Sequence, residues 1–247
     1  MRVRVNSERK GRLTRVGYDN SARGNNFDEA GLRSLVDALA DAAAAPDCSV
    51  IRLAMAGANF SGGWDTTAFG NLSQASATEV AEQLAASQSL VDSIASLPVP
   101  VVTSVHGKVI GFAAGLLDAI HLAVAADTAT LHLPEARFGF APAGVGHRLT
   151  QALPRKAVYP LLLGCAAATA EDLLRWGFVS AVVPAQETDE RVDALAHSIA
   201  ELPGQVSRAV LDVVRSSLET GGPGTAFNIS AATIVAMAAE SGEAGTR

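Results

Sequence analysis

The chain has 247 residues, of which 49% are hydrophobic and 18% charged, so it is long enough to bury one sizeable core. We therefore expect a single domain with an appended helical end. The net charge of −6 argues against nucleic-acid binding, because neutralising phosphates requires clustered Lys and Arg. The basic residues gather within the first 15 positions, which is typical of a solvated edge.

We expect a soluble, cytoplasmic protein without a membrane segment. The first twenty residues hold no continuous apolar region, and the most apolar stretch later in the chain, 109–126, is interrupted by Asp118 and His121. Cys48 and Cys165 lack the spacing of a disulfide framework or a zinc site, and we expect both to be small core residues.

Alternating patterns predict a hairpin, apolar residues at helical spacing predict helices, and continuous apolar runs predict buried parallel strands. The predicted elements in chain order are a hairpin over 1–20 with its turn at Ser7 to Gly11, a helix over 25–45, a strand over 48–55, a helix over 77–97, strands over 100–105, 119–126 and 178–185, and helices from Gln186 to the end. This order predicts an α/β fold with right-handed crossovers, divided into a core over 1–185 and a C-terminal helical region over 186–247.

Three segments contain glycine or acidic residues that a hydrophobic core does not require. In the first, GANFSGGWDTTAFG (57–70), Gly62 and Gly63 follow a strand and allow main-chain N–H groups to face a ligand, although a plain strand-to-helix turn gives the same composition. The second, 105–119, has glycines at 107, 111 and 115 before and within a predicted helix. A helix N-terminus there offers unpaired N–H donors to an anion, although close helix packing explains the spacing equally well.

The third segment, 131–149, places Glu135 after a proline among apolar residues. Partial burial raises the pKa of such a carboxyl, which suits a general base or acid. The alternative is a surface glutamate paired with Arg137.

In this order the three segments resemble the crotonase superfamily, the enoyl-CoA hydratase/isomerase family. The family's Phe-x-x-Gly-x-Asp motif matches Phe60 to Asp65, and its Gly-x-x-x-Gly-Gly-Gly motif matches 107–113 with two of the three final glycines replaced. Its Pro-Glu motif with a following glycine-rich turn matches 134–146. The downstream segment 161–184 is also similar, so the resemblance covers roughly residues 10–220.

The resemblance implies a crotonase-like (ClpP/crotonase) α/β fold of ββα superhelical turns, with the C-terminal helices forming a trimerisation region in a homotrimer or homohexamer. It also implies an enzyme that stabilises the enolate of an acyl thioester with two main-chain N–H groups, which fall here on Trp64 and Phe112. Backbone donors need no particular side chain. The aromatic side chains at both positions are expected to narrow the acyl channel or to stack on the acyl group.

The family's phosphate-contacting basic residue falls on Arg23, whose guanidinium suits that contact. Gly62 and Asp65 fall on the loop that lines the track of the coenzyme. Coenzyme A or phosphopantetheine belongs to the substrate, and no separate cofactor is expected. The basic C-terminal residues of many relatives are replaced here by ESGEAGTR (240–247), which makes an acyl-carrier-protein substrate a competitor to acyl-CoA.

Hydratases of the family use two glutamates, which fall here on Gly115 and Glu135. One carboxylate suffices to move a proton between two carbons, so the resemblance favours double-bond isomerisation over hydration. Asp118, one helical turn beyond Gly115, is a possible replacement for the missing acid. His106 and His132 are further candidate acids, whereas we expect His121 to be a structural histidine.

Other activities on the same fold are alternatives, namely those of a hydratase, dehydratase, decarboxylase or hydrolase in secondary metabolism such as polyketide synthesis. A different class of protein stays open as well. The altered residues around the proposed oxyanion site are also compatible with a non-catalytic scaffold subunit that keeps the fold.

Overall fold

The computed structural model describes residues 3–65, 67, 75–203, 205–220 and 223–244. Its N-terminal hairpin consists of β1 (Arg4–Lys10) and β2 (Leu13–Asp19), as predicted. The predicted turn was placed too early, because the chain remains extended to Lys10 and turns at Gly11, where φ is 61°. The side chains of β1 are almost all exposed, so polar residues are tolerated within this edge strand.

The main sheet has the order β1-β2-β3-β4-β6-β9. Its further strands are β3 (Val50–Met55), β4 (Val101–Val105), β6 (Leu122–Ala126) and β9 (Ala181–Val183), and all pairings from β2 to β9 are parallel. The parallel α/β prediction is therefore confirmed. The strands predicted over 119–126 and 178–185 are shorter in the structure, because an apolar run does not by itself separate a buried helix end from a strand.

A second, smaller sheet was not predicted. It consists of β5 (Lys108–Ile110), β7 (Thr130–His132) and β8 (Ala168–Thr169), in the order β5-β7-β8. Strands of two or three residues are too short for a periodic pattern. This sheet connects the second and third sequence segments, since β5 pairs in parallel with β7.

The helices begin at side-chain caps where the sequence provides them. Asp28 accepts a hydrogen bond from the N–H of Gly31 at the start of the first helix, and Ser76 and Glu79 form a capping box at the second. The helices are α1 (Glu29–Ala44), α2 (Ala77–Ala95), α3 (Phe112–Ala119), α4 (Ala143–Ala152), α5 (Arg155–Leu162), α6 (Ala170–Arg175), α7 (Thr188–Ala200), α8 (Val206–Thr220) and α9 (Pro223–Ala244). None of them, as far as the structure describes them, is long and apolar enough to cross a bilayer.

Buried side chains lie on both faces of the main sheet. The larger cluster contacts α1, α2 and α3, and a smaller one lies under α7. Arg52 on β3 is only 3% exposed and pairs with Asp189 and Asp193 of α7, so two carboxylates compensate the buried cation and hold α7 on the sheet. The core therefore fixes the carboxyl ends of β3 and β4, from which the glycine-containing segments extend.

The C-terminal region is helical, as predicted, with α8 attached to α1. Arg208 of α8 donates a hydrogen bond to the carbonyl of Ala43 at 2.9 Å, and α9 packs against α8. Several apolar side chains of these two helices are exposed, among them Val210, Val214, Leu218, Phe227 and Ile234. The division at residue 186 and the trimerisation role of this region stay predictions.

Candidate active site

The glycine-rich loop after β3 lies against β5. The N–H of Ser61 donates to the carbonyl of Lys108 at 3.1 Å, and the N–H of Ile110 donates to the carbonyl of Ser61 at 3.0 Å. Because β5 leads directly into α3, this pairing brings the first sequence segment to the N-terminus of the helix in the second. The two segments thus form one local unit.

Gly63 is the point of closest approach between these segments. A Cβ built on Gly63 would clash with the carbonyl oxygen of Ile110 and would lie 3.5 Å from the nitrogen of Phe112. Its φ of 90° also favours glycine. A residue without a side chain is therefore required here to place the peptide before Trp64 beside the start of α3.

The N–H groups of Trp64 and Phe112 donate no hydrogen bond to any protein atom in the described ranges of the chain. Phe112 is the first residue of α3, where N–H groups have no intrahelical partner and the helix dipole favours negative charge. These two amides, predicted as oxyanion donors, therefore lie in adjacent segments and are free to bind an oxygen atom.

The side chains of the same two residues contact each other. The ring centroids of Trp64 and Phe112 are 5.1 Å apart in an edge arrangement, and Phe27 continues the contact at 6.0 Å from Phe112. Tyr18 stacks on Phe27 at 4.6 Å. Both Trp64 and Phe112 are half-buried, and their rings form one end of an aromatic cluster.

Glu135 projects its carboxyl toward Gly111, the residue before α3. A Cβ on Gly111 would clash with Oε1 of Glu135 and lie 3.2 Å from its Cδ. Oε2 is buried and has no hydrogen-bond partner among the described residues, and desolvation raises the pKa of the carboxyl. The alternative of a surface pair with Arg137 is wrong, since Oε2 of Glu135 is buried and no ion pair joins the two residues in the described chain.

The residues predicted to contact the coenzyme adjoin this unit. Arg23 pairs with Asp65 at 2.6 Å, with the Arg23 side chain about half exposed and that of Asp65 buried. Hydrogen bonds from the hydroxyl and N–H of Thr67, with the charge of Arg23, hold the pKa of Asp65 below its usual range. The N–H of Gly62 donates to the carbonyl of Gly24 at 2.8 Å, which fixes the loop beside the turn that carries Arg23.

The position of the missing glutamate is packed against α4. Gly115 is buried, and a Cβ there would lie 3.8 Å from Val145 and from Cδ of Arg148, which is ordinary van der Waals contact. Asp118 is paired with Nη1 of Arg148 at 2.8 Å, and Arg148 also pairs with Asp92. Burial raises the pKa of Asp118, and the pairing with Arg148 opposes that shift.

The three histidines differ in their surroundings. His106 contacts the carbonyl of Gly57 through Nε2 at 3.0 Å, and the main-chain carbonyl of His132 accepts a hydrogen bond from Gly111. Nδ1 of His121 accepts from the N–H of Val101 at 3.2 Å, and burial lowers the pKa of His121 to about 4. His121 thus takes a structural position on the sheet.

The side chains of Asn25 and Ser61 hold the glycine-rich loop, and the sequence did not predict this role for either residue. The signal was weak, since an asparagine before an apolar helical pattern is also expected at a helix N-terminus. The C-terminal stretch 240–247, on which the carrier-protein alternative depended, lies outside the residues whose side chains the structure describes.

Comparison with known proteins places the chain in a family. Residues 8–240 match the enoyl-CoA hydratase/isomerase family. The chain is 28% identical to enoyl-CoA hydratase domain-containing protein 3 of Rattus norvegicus over 78% of its own length and 64% of the relative's. It is 32% identical to carnitinyl-CoA dehydratase of Citrobacter koseri over 51% of its length and 49% of the relative's.

Thus the alignments span about half to two thirds of these curated relatives. The crystal structure of human enoyl coenzyme A hydratase domain-containing protein 3 superposes with a TM-score of 0.83 at 24% identity, covering 94% of this chain and 90% of that one. The fold is therefore the crotonase fold, and the chain belongs to the enoyl-CoA hydratase/isomerase family.

Proposed function

We propose that the protein isomerises the double bond of a 3-enoyl thioester of coenzyme A. Glu135 removes a proton from C2, the electron pair moves onto the thioester oxygen, and the N–H groups of Trp64 and Phe112 stabilise that oxygen as an enolate. The protonated Glu135 then returns the proton to C4, which leaves a 2-enoyl thioester. The reaction balances with one carboxyl and uses no separate cofactor.

One observation carries this proposal. The carboxyl of Glu135 lies against Gly111, directly before the free amide of Phe112, and one of its oxygens is buried with no hydrogen-bond partner in the part of the chain that the structure describes. Its raised pKa suits a carboxyl that both takes and gives a proton. A hydratase needs a second acid, but Gly115 supplies none and Asp118 is already paired with Arg148.

The substrate's phosphates are proposed to bind at Arg23, whose half-exposed guanidinium can exchange part of its contact with Asp65 for an anion. An acyl-carrier protein is the alternative source of the thioester. Assembly as a homotrimer or homohexamer through the C-terminal helices is proposed from the family and from their exposed apolar side chains. Sedimentation velocity of the full chain measures that state directly.

The test is proton exchange in deuterated water with a 3-enoyl-CoA, followed by mass spectrometry. We expect the unaltered chain to form the 2-enoyl isomer and to incorporate deuterium. Glu135→Gln should abolish both while leaving thioester binding within a few-fold, and the exposed control Glu171→Gln should change neither. Exchange that persists in Glu135→Gln contradicts the assignment of the base.

Two further outcomes separate the alternatives. Turnover of an acyl-carrier-protein substrate without turnover of the matching CoA thioester indicates carrier dependence. A chain that neither exchanges protons nor binds any acyl-CoA at micromolar concentration is a scaffold, and the isomerase proposal is then wrong.

A further inference from the structure

Asn25 has an unusual backbone for its residue type. Its φ is 55°, in the left-handed region that favours glycine, and its side chain is almost fully buried at 1% exposure. A residue other than glycine adopts this conformation only at an energetic cost. The surrounding contacts must therefore hold it in place.

The side-chain amide of Asn25 supplies those contacts. Its Nδ2 donates to the carbonyls of Ala56 at 2.6 Å, Asn59 at 3.0 Å and Phe60 at 3.3 Å. Its Oδ1 accepts from the N–H of Asn20 at 3.0 Å. One buried amide thus satisfies several main-chain groups of the loop that follows β3.

A second connection leads from Asn25 toward the proposed oxyanion site. The hydroxyl of Ser61 donates to the carbonyl of Asn25 at 2.7 Å and accepts from the N–H of Gly63 at 3.0 Å. Ser61 is fully buried. Because Gly63 directly precedes Trp64, these two hydrogen bonds hold the residue whose carbonyl shares a peptide with the Trp64 N–H, and that carbonyl accepts from the N–H of Phe27 at 2.8 Å.

The same asparagine also closes the turn that carries Arg23. The N–H of Asn25 donates to the carbonyl of Asn20 at 3.0 Å, and the N–H of Arg23 donates to that same carbonyl at 2.8 Å. The loop with the oxyanion amide and the turn with the proposed phosphate contact therefore share one buried support.

We propose that Asn25 is a positioning residue for the reaction. Acting through Ser61, it holds the Trp64 N–H at the place where the thioester oxygen acquires negative charge. This inference rests on the oxyanion role of Trp64 in the proposed function. Asn25 itself does not contact the substrate.

The test uses Asn25→Gly, which tolerates the backbone conformation but lacks the amide, and Ser61→Ala, which interrupts the connection to Gly63. A misplaced donor costs roughly 100-fold in rate, so we expect kcat to fall by about 10- to 100-fold with KM within about threefold. The matched controls are Cys165→Gly and Ser207→Ala. Within the described chain, Cys165 is the other non-glycine residue with positive φ, and Ser207 is a buried serine whose hydroxyl has no hydrogen-bond partner. Both should keep kcat.

The double variant tests the connection itself. If Asn25 acts through Ser61, the combined loss of kcat should be clearly smaller than the product of the single losses. A spectroscopic readout accompanies it, namely the ultraviolet band of the enolate of bound acetoacetyl-CoA. We expect this band to weaken in both variants at saturating ligand, which a purely structural role would not produce.

The inference is overturned if the variants keep kcat and the enolate band within about twofold, or if Cys165→Gly and Ser207→Ala lose as much. Multiplicative losses in the double variant overturn the route through Ser61. An unaltered chain without any turnover instead refutes the proposed function, so the two failures are distinguishable.

Discussion

The carboxyl of Glu135 occupies the space in which a side chain on Gly111 would stand. Gly111 also has a φ of 53°, so two independent constraints favour glycine. We expect Gly111→Ala to displace Glu135 and to lower kcat by at least about 100-fold, as misplacement of a catalytic group does. Steady-state turnover of the 3-enoyl-CoA measures this loss.

The control for Gly111→Ala is Gly11→Ala, which has a similar φ of 61° but nothing within 4 Å of a new Cβ. This variant should lose only about 1 to 2 kcal/mol of unfolding free energy to backbone strain and keep full activity. Equal activity in the two alanine variants would show that the contact with Glu135 is irrelevant.

Glu135 also has a cost to stability that depends on pH. Burial raises its folded-state pKa above the unfolded value of 4.5, so the folded state is penalised once the pH rises past that value and the carboxyl must ionise. We therefore expect the difference in unfolding free energy between Glu135→Gln and the unaltered chain to shift in favour of the variant as the pH rises from 4.5 to 8. Urea denaturation across this range checks the sign, and a constant difference would contradict it.

Gly115 offers a test of the missing second acid. Gly115→Ala places a Cβ in ordinary contact within α3, so it should stabilise the fold by up to about 1 kcal/mol and leave isomerisation intact. Gly115→Glu should add measurable hydration of a 2-enoyl-CoA. The loss of the enoyl absorbance measures this reaction. Efficient hydration by the unaltered chain would refute the argument that a second carboxyl is required.

Arg23 is expected to contribute binding rather than chemistry. Arg23→Gln should raise KM for an acyl-CoA by about tenfold with kcat nearly unchanged, because the interaction is the same in ground and transition states. A truncated thioester without the nucleotide should show no such change. The exposed Arg33→Gln serves as the control, and an equal rise of KM for both thioesters would place the phosphates elsewhere.

Because His121 is buried, we expect the unfolding free energy of the protein to fall in mild acid. Its folded-state pKa is lowered to about 4 from 6.5, so its contribution is fully present above pH 6.5 and is lost as the pH falls from there toward 4. Between pH 7.5 and 5.5 the unaltered chain should lose about 1 kcal/mol on this account. His121→Gln should lose less, and replacement of the exposed His147 should change nothing in this comparison of urea midpoints.

The local pattern of residues determined much of this protein. Apolar spacing around Leu32 and Leu35 predicts α1, and Asp28 caps it, because a helix and its cap are decided within a few neighbouring residues. The buried strands β3 and β4 follow likewise from continuous apolar runs. The three glycine and glutamate segments were recognisable because each keeps its residue types at fixed spacing.

Only the tertiary structure decided which distant groups meet. Asp118 was open as a second acid until Arg148, thirty residues away, was found paired with it. The short pairing of β5 with β7 brings Glu135 to Gly111. Strands of three residues are too short to show a periodicity that predicts this pairing. The same holds for Asn25, whose role depends on carbonyls more than thirty residues along the chain. Local sequence fixes periodicity and caps, whereas these contacts arise from long-range strand pairing and packing.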